Sequence, residues 1–274
     1  MRSVRTVRLL QLSDPHLFAD ETRELYGVNT AATFHATLTR ALKERSDPLD
    51  AILVSGDVAE DGQASTYRRF RSIMADLGVP VLCLPGNHED RLALNSYLDE
   101  PPLRYCGSHD LADWRVVMLD SHLPGSDAGR LEAGELRRLD RELASAKQMH
   151  VLVCLHHQAL PVGSPWLDAC GLQNASALRE VLQQYDNVRA VLSGHVHQAS
   201  DAVDDGIRFI TTPSTCAQFT PNTSTCVMDL RPPGYRWLHL TPAGEIETQV
   251  VWLDEFQRTE RPPDSRRVGA GVPT

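Results

Sequence analysis

Residues 8–16 read RLLQLSDPH, an apolar run that ends in an aspartate, a proline and a histidine. The run Arg8–Leu12 has the length and composition of a strand that is covered on both faces. Asp14 and His16 are two residues apart, and in an extended segment such residues face the same way. Both side chains are ligands for divalent metal ions. The segment therefore predicts a buried strand whose carboxyl end binds metal.

The same arrangement, an apolar strand followed by polar side chains, recurs along the chain. The segments that follow the other predicted strands are Gly56-Asp57, Gly86-Asn87-His88-Glu89, His156-His157 and Gly194-His195-Val196-His197. In open α/β sheets, ligands bind at the carboxyl ends of the strands. We therefore expect all these segments to converge on one cavity, although they are spread between residues 14 and 197.

Short apolar runs alternate with helical stretches over most of the chain. The predicted strands are Arg8–Leu12, Ala51–Ser55, Pro80–Leu84, Arg115–Leu119, Val151–Leu155, Ala190–Ser193 and Arg208–Thr212. The predicted helices are Asn29–Arg45, Gln63–Leu77, Glu132–Lys147 and Asn174–Tyr185. After about residue 206 the helices stop, and strands separated by proline-rich turns predict a second sheet over about 206–253. The expected organisation is one domain at 1–258 and a flexible tail at 259–274.

Composition excludes several classes of protein. The chain has 274 residues, a formal net charge of −9 and 42% hydrophobic residues, which is typical of a globular α/β domain. An acidic chain argues against a dedicated nucleic-acid partner. No stretch approaches the roughly 20 apolar residues of a membrane span, and the N-terminal apolar run is too short for a signal peptide. We therefore expect a cytoplasmic protein with neither a nucleic-acid nor a membrane partner.

The charge of the predicted site favours an anionic substrate. If Asp14 and Asp57 are its only anionic ligands, the protein supplies about −2, whereas two divalent cations supply +4. Histidines and Asn87 are neutral ligands. Such a site keeps a net positive charge, for which a phosphate ester is a suitable guest.

Taken together, the five strand-end segments resemble the calcineurin-like metallophosphoesterase superfamily. Further segments are similar to the bacterial class III 3',5'-cyclic AMP phosphodiesterases of the CpdA type, namely Leu17-Phe18, Gly27–Thr30, Ser164–Asp168 and Thr212–Phe219. The resemblance implies an α/β fold, a four-layer α/β/β/α sandwich with two central mixed sheets. It also implies hydrolysis of cAMP to 5'-AMP by in-line attack of a hydroxide that bridges two metal ions.

The resemblance also implies two sets of metal ligands that share Asp57. The first set is Asp14, His16, Asp57 and His197, and the second is Asp57, Asn87, His156 and His195. The two ions would be divalent or trivalent, with iron paired with iron, manganese or zinc. The ligand chemistry admits all of these metals.

The residues that the resemblance assigns to the substrate are His88, Asn87, His16 and His197. His88 and Asp57 would be the catalytic residues. His88 would hydrogen-bond a phosphate oxygen or protonate the leaving 3'-oxygen. Glu60, three residues after Asp57, is expected to orient His88.

One difference from the sequence motif of the family leaves the substrate preference open. Many members read His-His-Pro-Pro where this chain has His156-His157-Gln158-Ala159, and this loop lines the pocket. A first alternative is a broader phosphodiesterase acting on 2',3'-cyclic nucleotides, glycerophosphodiesters or aryl phosphates. A second alternative is a non-catalytic scaffold of the same fold. The sequence also leaves the oligomeric state open, including a homodimer.

Two groups of residues beside the predicted ligands have alternative interpretations. His157 is expected to pack or hydrogen-bond behind the ligands. Phe18, Trp166 and Phe219 are either core residues or surfaces on which an adenine ring stacks.

Overall fold

The computed structural model describes residues 5–44 and 47–254. The strands are β1 (Val7–Leu12), β2 (Glu24–Leu25), β3 (Val28–Asn29), β4 (Ala51–Val54), β5 (Val81–Cys83), β6 (Leu103–Tyr105), β7 (Gly107–Leu111), β8 (Trp114–Met118), β9 (His150–Cys154), β10 (Val188–Ser193), β11 (Ser200–Asp204), β12 (Ile207–Thr211), β13 (Gln218–Phe219), β14 (Met228–Asp229), β15 (Gly234–Leu240) and β16 (Ile246–Trp252). The helices are α1 (Thr30–Glu44), α2 (Ala64–Ala75), α3 (Arg91–Leu98), α4 (Ala133–Ser145), α5 (Pro165–Asp168) and α6 (Ala175–Leu182).

Both large sheets are mixed and have six strands each. The first has the order β16-β15-β1-β4-β5-β6, in which β1, β4, β5 and β6 are parallel and β15 and β16 antiparallel to their neighbours. The second has the order β11-β12-β10-β9-β8-β7, with a parallel centre and one antiparallel strand at each edge. The carboxyl ends of the parallel strands therefore lie together at one edge of each sheet.

Three apolar clusters confirm the predicted four layers. Between the sheets, side chains such as Leu9 and Leu53 pack against Leu152 and Leu192. The outer face of the first sheet is covered by α1, α2 and α3, and that of the second by α4 and α6. The central parallel strands β4 and β5 are buried on both faces, which explains why their sequences are uninterrupted apolar runs.

The helix that follows the first ligand segment was predicted almost to the residue. The structure places α1 at Thr30–Glu44. Asn29 precedes it, and its Oδ1 accepts a hydrogen bond from the amide of Ala32 at 2.8 Å. This is the N-cap role expected of asparagine. In contrast, α3 was not predicted, although Asp90 caps it by accepting from the amides of Leu92 and Ala93.

The prediction that strands over about 206–253 form the second sheet is wrong. In that range only β12 belongs to the second sheet, whereas β15 and β16 extend the first sheet beside β1. Along β15, Leu238 and Leu240 face the core between the sheets, and Tyr235 and Trp237 face the outer core. The local pattern of β15 indicates a strand buried on both faces, but strand pairing depends on distant residues.

The proposed domain limit at residue 258 and the tail at 259–274 lie outside the described residues. Within residues 5–44 and 47–254, none of the helices combines the length and the apolar character that a membrane crossing needs.

Candidate binuclear metal centre

Every predicted ligand lies just after a strand at the edge where the parallel strands end. Asp14 and His16 follow β1, Asp57 follows β4, Asn87 follows β5, His156 follows β9, and His195 and His197 follow β10. All of them except Asn87 are buried. Burial of ionisable side chains is costly unless they pair or bind an ion. Burying these ionisable side chains together therefore costs free energy, which bound cations would offset.

The backbone of these ligand segments is unusual. Among the described residues, ten that are not glycine have a positive φ, and five of the ten are predicted ligands. These five are Asp14, His16, Asp57, His195 and His197. The left-handed conformation costs an L-residue roughly 1–2 kcal/mol. Strained conformations of this kind concentrate at functional sites, where the surrounding structure holds them in place.

One group of ligand atoms is formed by Asp14, His16 and His197. The Nε2 atoms of His16 and His197 are 3.1 Å apart, and Nε2 of His197 is 3.4 Å from Oδ1 of Asp14. The three side chains offer ligand atoms that all lie within 4.8 Å of one another. This geometry allows a single cation to contact all three.

A second group surrounds His156. Its Nε2 lies 3.1 Å from Oδ1 of Asn87 and 3.2 Å from Oδ2 of Asp57. The same Oδ2 of Asp57 lies 3.8 Å from Nε2 of His16, which belongs to the first group. Asp57 thus sits between the two groups, in the position that the predicted bridging role requires. His195 lies against His156, with ring centroids 5.1 Å apart.

The imidazoles are oriented by acceptors on the side away from the site. Nδ1 of His156 donates to the carbonyl of Ser55, and Nδ1 of His197 to the carbonyl of Ala217, both at 2.7 Å. Nδ1 of His16 is 2.9 Å from the Glu60 carboxylate. Because each of these acceptors contacts Nδ1, Nε2 is the ring nitrogen that points into the site. Metal-binding histidines are commonly oriented in this way.

Glu89 holds two of the ligand segments together, a role that the sequence did not reveal. Its carboxylate accepts hydrogen bonds from the amides of Asp57 at 2.9 Å, Ala59 at 3.1 Å and Gly86 at 2.5 Å. Burial, with the charge of Asp57, raises the pKa of Glu89 to about 7. The contacts join the segment after β4 to the segment after β5. The available signal was the place of Glu89 directly after the Asn87-His88 pair.

Two glycines allow the ligand segments to approach closely. A Cβ at Gly86 would lie 2.0 Å from Oδ1 of Asp57, and a Cβ at Gly56 would lie 2.3 Å from Nδ1 of His156. Neither contact is sterically possible. Gly56 also has a φ of 98°, which disfavours other residues. The glycines before Asp57 and Asn87 are therefore required by packing.

The residues fit metal cations. Burial opposes ionisation of Asp57, but the charges of His156 and His88 outweigh it and hold its pKa well below the usual range. Burial, together with the nearby His156, lowers the pKa of His195 to about 3, so its imidazole is neutral, as a ligand must be. Nε2 of His195 is also buried without a hydrogen-bond partner. Cations would satisfy this nitrogen and balance the carboxylates, and the mixed N and O donors suit first-row metals.

His88 differs from the ligand histidines because its side chain is 37% exposed. Its amide donates to Oδ1 of Asp57 at 3.0 Å, and its Nδ1 lies 3.0 Å from the Glu60 carboxylate. The expected contact between Glu60 and His88 is therefore present. Burial opposes protonation of His88, but the charges of Asp57 and Glu60 outweigh it and raise its pKa. His88 is placed to meet a molecule bound beside the ligands.

His157 lies behind the ligands, as expected. Nδ1 is 2.8 Å from Oγ of Ser121, and its ring centroid is 4.9 Å from that of His156 and 4.8 Å from that of His195. The side chain is fully buried, and its Nε2 has no hydrogen-bond partner. It packs the second group of ligands from the protein side.

The three aromatic residues considered for a base contact are mainly core residues. Phe18 and Phe219 are buried, and Trp166 packs edge-on against Phe219 with centroids 5.0 Å apart. Phe219 stacks on the His197 ring at 4.5 Å and 17°. Tyr26, which the sequence reasoning did not single out, is exposed and lies edge-on to Phe219 at 5.9 Å.

Comparison with known proteins agrees with this site. The family model described as calcineurin-like phosphoesterase matches residues 7–199, which include every predicted ligand. The chain is 39% identical over 257 residues to the 3',5'-cyclic adenosine monophosphate phosphodiesterase CpdA of Pseudomonas aeruginosa, covering 91% of each chain. It is 37% identical to the protein of the same name from Escherichia coli, covering 96% of this chain and 94% of the other.

Solved structures agree on the fold. A dimetal phosphatase from Danio rerio matches with a TM-score of 0.62 at 17% identity, covering 90% of this chain and 99% of the other. Calcineurin-like phosphoesterases use a dinuclear metal centre, and the buried His and Asp groups described above could hold such a pair of ions. With the match over residues 7–199 and these relatives, the chain belongs to the calcineurin-like phosphoesterase family.

Proposed function

We propose that this protein is a metal-dependent 3',5'-cyclic AMP phosphodiesterase that hydrolyses cAMP to 5'-AMP. The observation that carries the proposal is the position of Asp57, whose Oδ2 lies 3.2 Å from His156 and 3.8 Å from His16 and so faces both groups of ligands. The choice of substrate is supported by relatives named as cAMP phosphodiesterases that are 36–39% identical over most of the chain.

The proposed ligands of the first ion are Asp14, His16, Asp57 and His197, and those of the second are Asp57, Asn87, His156 and His195. We propose iron paired with iron, manganese or zinc. When bound, such a pair supplies Lewis acidity at the phosphoryl oxygens and lowers the pKa of water.

His88 is the proposed proton donor. Since its Nδ1 is directed to Glu60, Nε2 is the atom that remains for the substrate. The neighbouring carboxylates raise the pKa of His88 and so keep a proton on the ring. From Nε2, that proton would stabilise a phosphoryl oxygen or pass to the 3'-oxygen as it leaves. The substrate phosphate would also contact Asn87, His16 and His197.

Glu60 is the proposed orienting residue. Its carboxylate contacts Nδ1 of His16 at 2.9 Å and Nδ1 of His88 at 3.0 Å. One carboxylate thereby sets the ring orientation of a metal ligand and of the proton donor. Burial opposes ionisation of Glu60, but hydrogen bonds with His16 and His88, and then their charges, lower its pKa to about 2, so it stays an acceptor at physiological pH.

The proposal is tested by comparing specificity constants on metal-loaded protein. The substrates are 3',5'-cAMP, 3',5'-cGMP, 2',3'-cAMP and bis(4-nitrophenyl) phosphate. We expect kcat/KM to be highest for 3',5'-cAMP among the natural nucleotides. Efficient hydrolysis of the aryl ester with negligible turnover of cAMP would replace the proposal with the broader phosphodiesterase. Loss of all hydrolysis despite bound metal would favour a scaffold.

Two further expectations stay predictions. A cytoplasmic location is expected from the sequence, and a homodimer is one of the oligomeric states left open. Fractionation of cells and sedimentation of the purified protein address them separately.

A further inference from the structure

We infer that Tyr26 forms a stacking surface for the base of a purine nucleotide, at the rim of the metal centre. This inference deepens the proposed function and rests on it, because only a nucleotide substrate brings a base to this site. Tyr26 is 37% exposed and is the one exposed aromatic side chain in the described part of the chain.

The hairpin that carries Tyr26 is built to present this residue. Strands β2 and β3 pair Leu25 with Val28, which leaves Tyr26 and Gly27 as a two-residue turn. Both turn residues have a positive φ, 52° and 74°, as in a type I′ turn. At the first position of such a turn asparagine is favoured, whereas a bulky tyrosine is strained. A strained residue that local structure does not require points to a function.

The two strands of the hairpin pack against a segment that also contacts the metal centre. Val28 is buried in a small cluster with Cys216 and Ala217, and Leu25 packs against it. The carbonyl of Ala217 accepts the hydrogen bond from Nδ1 of His197. The hairpin and the ligand His197 are therefore held by the same short segment, so the position of the turn relative to the site is defined.

A single ring separates Tyr26 from a predicted metal ligand. Phe219 stacks flat on His197 at 4.5 Å, and Tyr26 meets Phe219 edge-on at 5.9 Å. A nucleotide whose phosphate lies at the metals holds its base one ribose away. Tyr26 lies in that zone.

The chemistry of the ring fits a base and does not require a specific hydrogen bond. Every nucleobase has a flat π face, and stacking on an aromatic side chain contributes substantially to binding. Phe219 is buried and already covered by His197, so it supports Tyr26 and is not itself available. The ligand class is therefore a nucleoside phosphate, distinguished from simple phosphodiesters by its base.

The test compares two ligands that differ by the base. Manganese-loaded protein is titrated calorimetrically with 5'-AMP and with ribose 5-phosphate. We expect the unaltered protein to bind 5'-AMP about tenfold more tightly, in line with stacking of one base. Tyr26→Phe keeps the ring and should keep this ratio. Tyr26→Asn removes the ring but suits the turn, so the ratio should fall to about one while the affinity for ribose 5-phosphate stays constant.

Each result of the titrations either supports or overturns the inference. A Tyr26→Asn protein that keeps the tenfold ratio overturns the inference, and so does a ratio near one in the unaltered protein. Loss of the ratio in Tyr26→Phe assigns the effect to the hydroxyl and overturns stacking. Thermal unfolding of Tyr26→Asn is measured alongside, to test that the variant is folded. Turnover of cAMP by the unaltered protein tests the proposed function independently, since neither calorimetric ligand needs to be hydrolysed.

Discussion

The two sheets supply different chemistry to the same site. From the ends of the first sheet come all of the carboxylates, Asp14, Asp57, Glu60 and Glu89, together with Asn87, His16 and the exposed His88. From the ends of the second sheet come only histidines, namely His156, His157, His195 and His197. The carboxylates of the site thus come from one sheet only, whereas both sheets supply imidazoles, and neither sheet alone has a complete set of ligands.

The two sides are also held differently. On the first sheet, Glu89 accepts three backbone amides and so ties the segments of Asp57 and Asn87 to each other. On the second sheet, His156 and His197 each donate to a carbonyl that belongs to another segment. In particular, His156 donates to Ser55 of the first sheet. This difference shows that contacts between the two sheets complete the site. The site therefore forms only when the two sheets pack against each other.

The largest effect is expected at Asp57, the carboxylate that faces both groups. Asp57→Ala removes the shared ligand, so we expect metal content to fall from two ions towards none and turnover to fall below detection. Mass spectrometric metal analysis and a cAMP assay measure the two effects. Two ions per chain in the variant would disprove the bridging role. His35→Ala, an exposed histidine on α1, is the unaffected control.

A smaller loss is expected at His88, which follows β5 of the first sheet and contacts Asp57 and Glu60 of the same sheet. His88→Ala should retain both ions and lose about 10²–10⁴-fold in kcat, the usual contribution of a general acid. The loss should be greater for cAMP than for bis(4-nitrophenyl) phosphate, because nitrophenolate leaves without a proton. Equal losses on both substrates would argue against proton donation.

Removing the Glu89 contacts tests whether the segments after β4 and β5 must be joined for metal to bind. Glu89→Gln keeps the shape but weakens acceptance of three amides, so we expect a roughly 10- to 100-fold loss of metal affinity, as for other residues that orient ligands. The matched control is Asp90→Asn, since Asp90 also accepts two backbone amides but caps α3 outside the site. Metal titration distinguishes the two variants, and equal affinities would reject the role of Glu89.

The smallest effect concerns stability. Because the ligands come from both sheets, cations should bind the folded chain and not the unfolded one. Removing them with a chelator should lower the free energy of unfolding by about 3 kcal/mol for each ion at a hundredfold excess over Kd. For a chain of this size that corresponds to roughly 5–10 °C in Tm. An unchanged Tm measured by calorimetry would show that the sheets pack without help from the metals.

Local features of the sequence were sufficient for several elements. The buried parallel strands are apolar on both faces, so they stand out as continuous runs, and the ligand segments follow them directly. Helix α1 has a stripe of apolar residues and an asparagine cap, and its predicted bounds differ from the observed ones by one residue at each end. Edge strands such as β7 and β11 consist only of exposed and half-buried residues, and their signal was too weak to predict them.

What the sequence alone determined about this protein was the kind of side chains at the strand ends and the expectation that they converge on one site. The reason is that ligand type and strand character are encoded within a few neighbouring residues. Only the tertiary structure decided that β15 joins the first sheet, that Glu89 links two ligand segments, and that Tyr26 lies beside Phe219. These contacts join residues far apart in the chain, and they are selected by packing and burial of the whole fold.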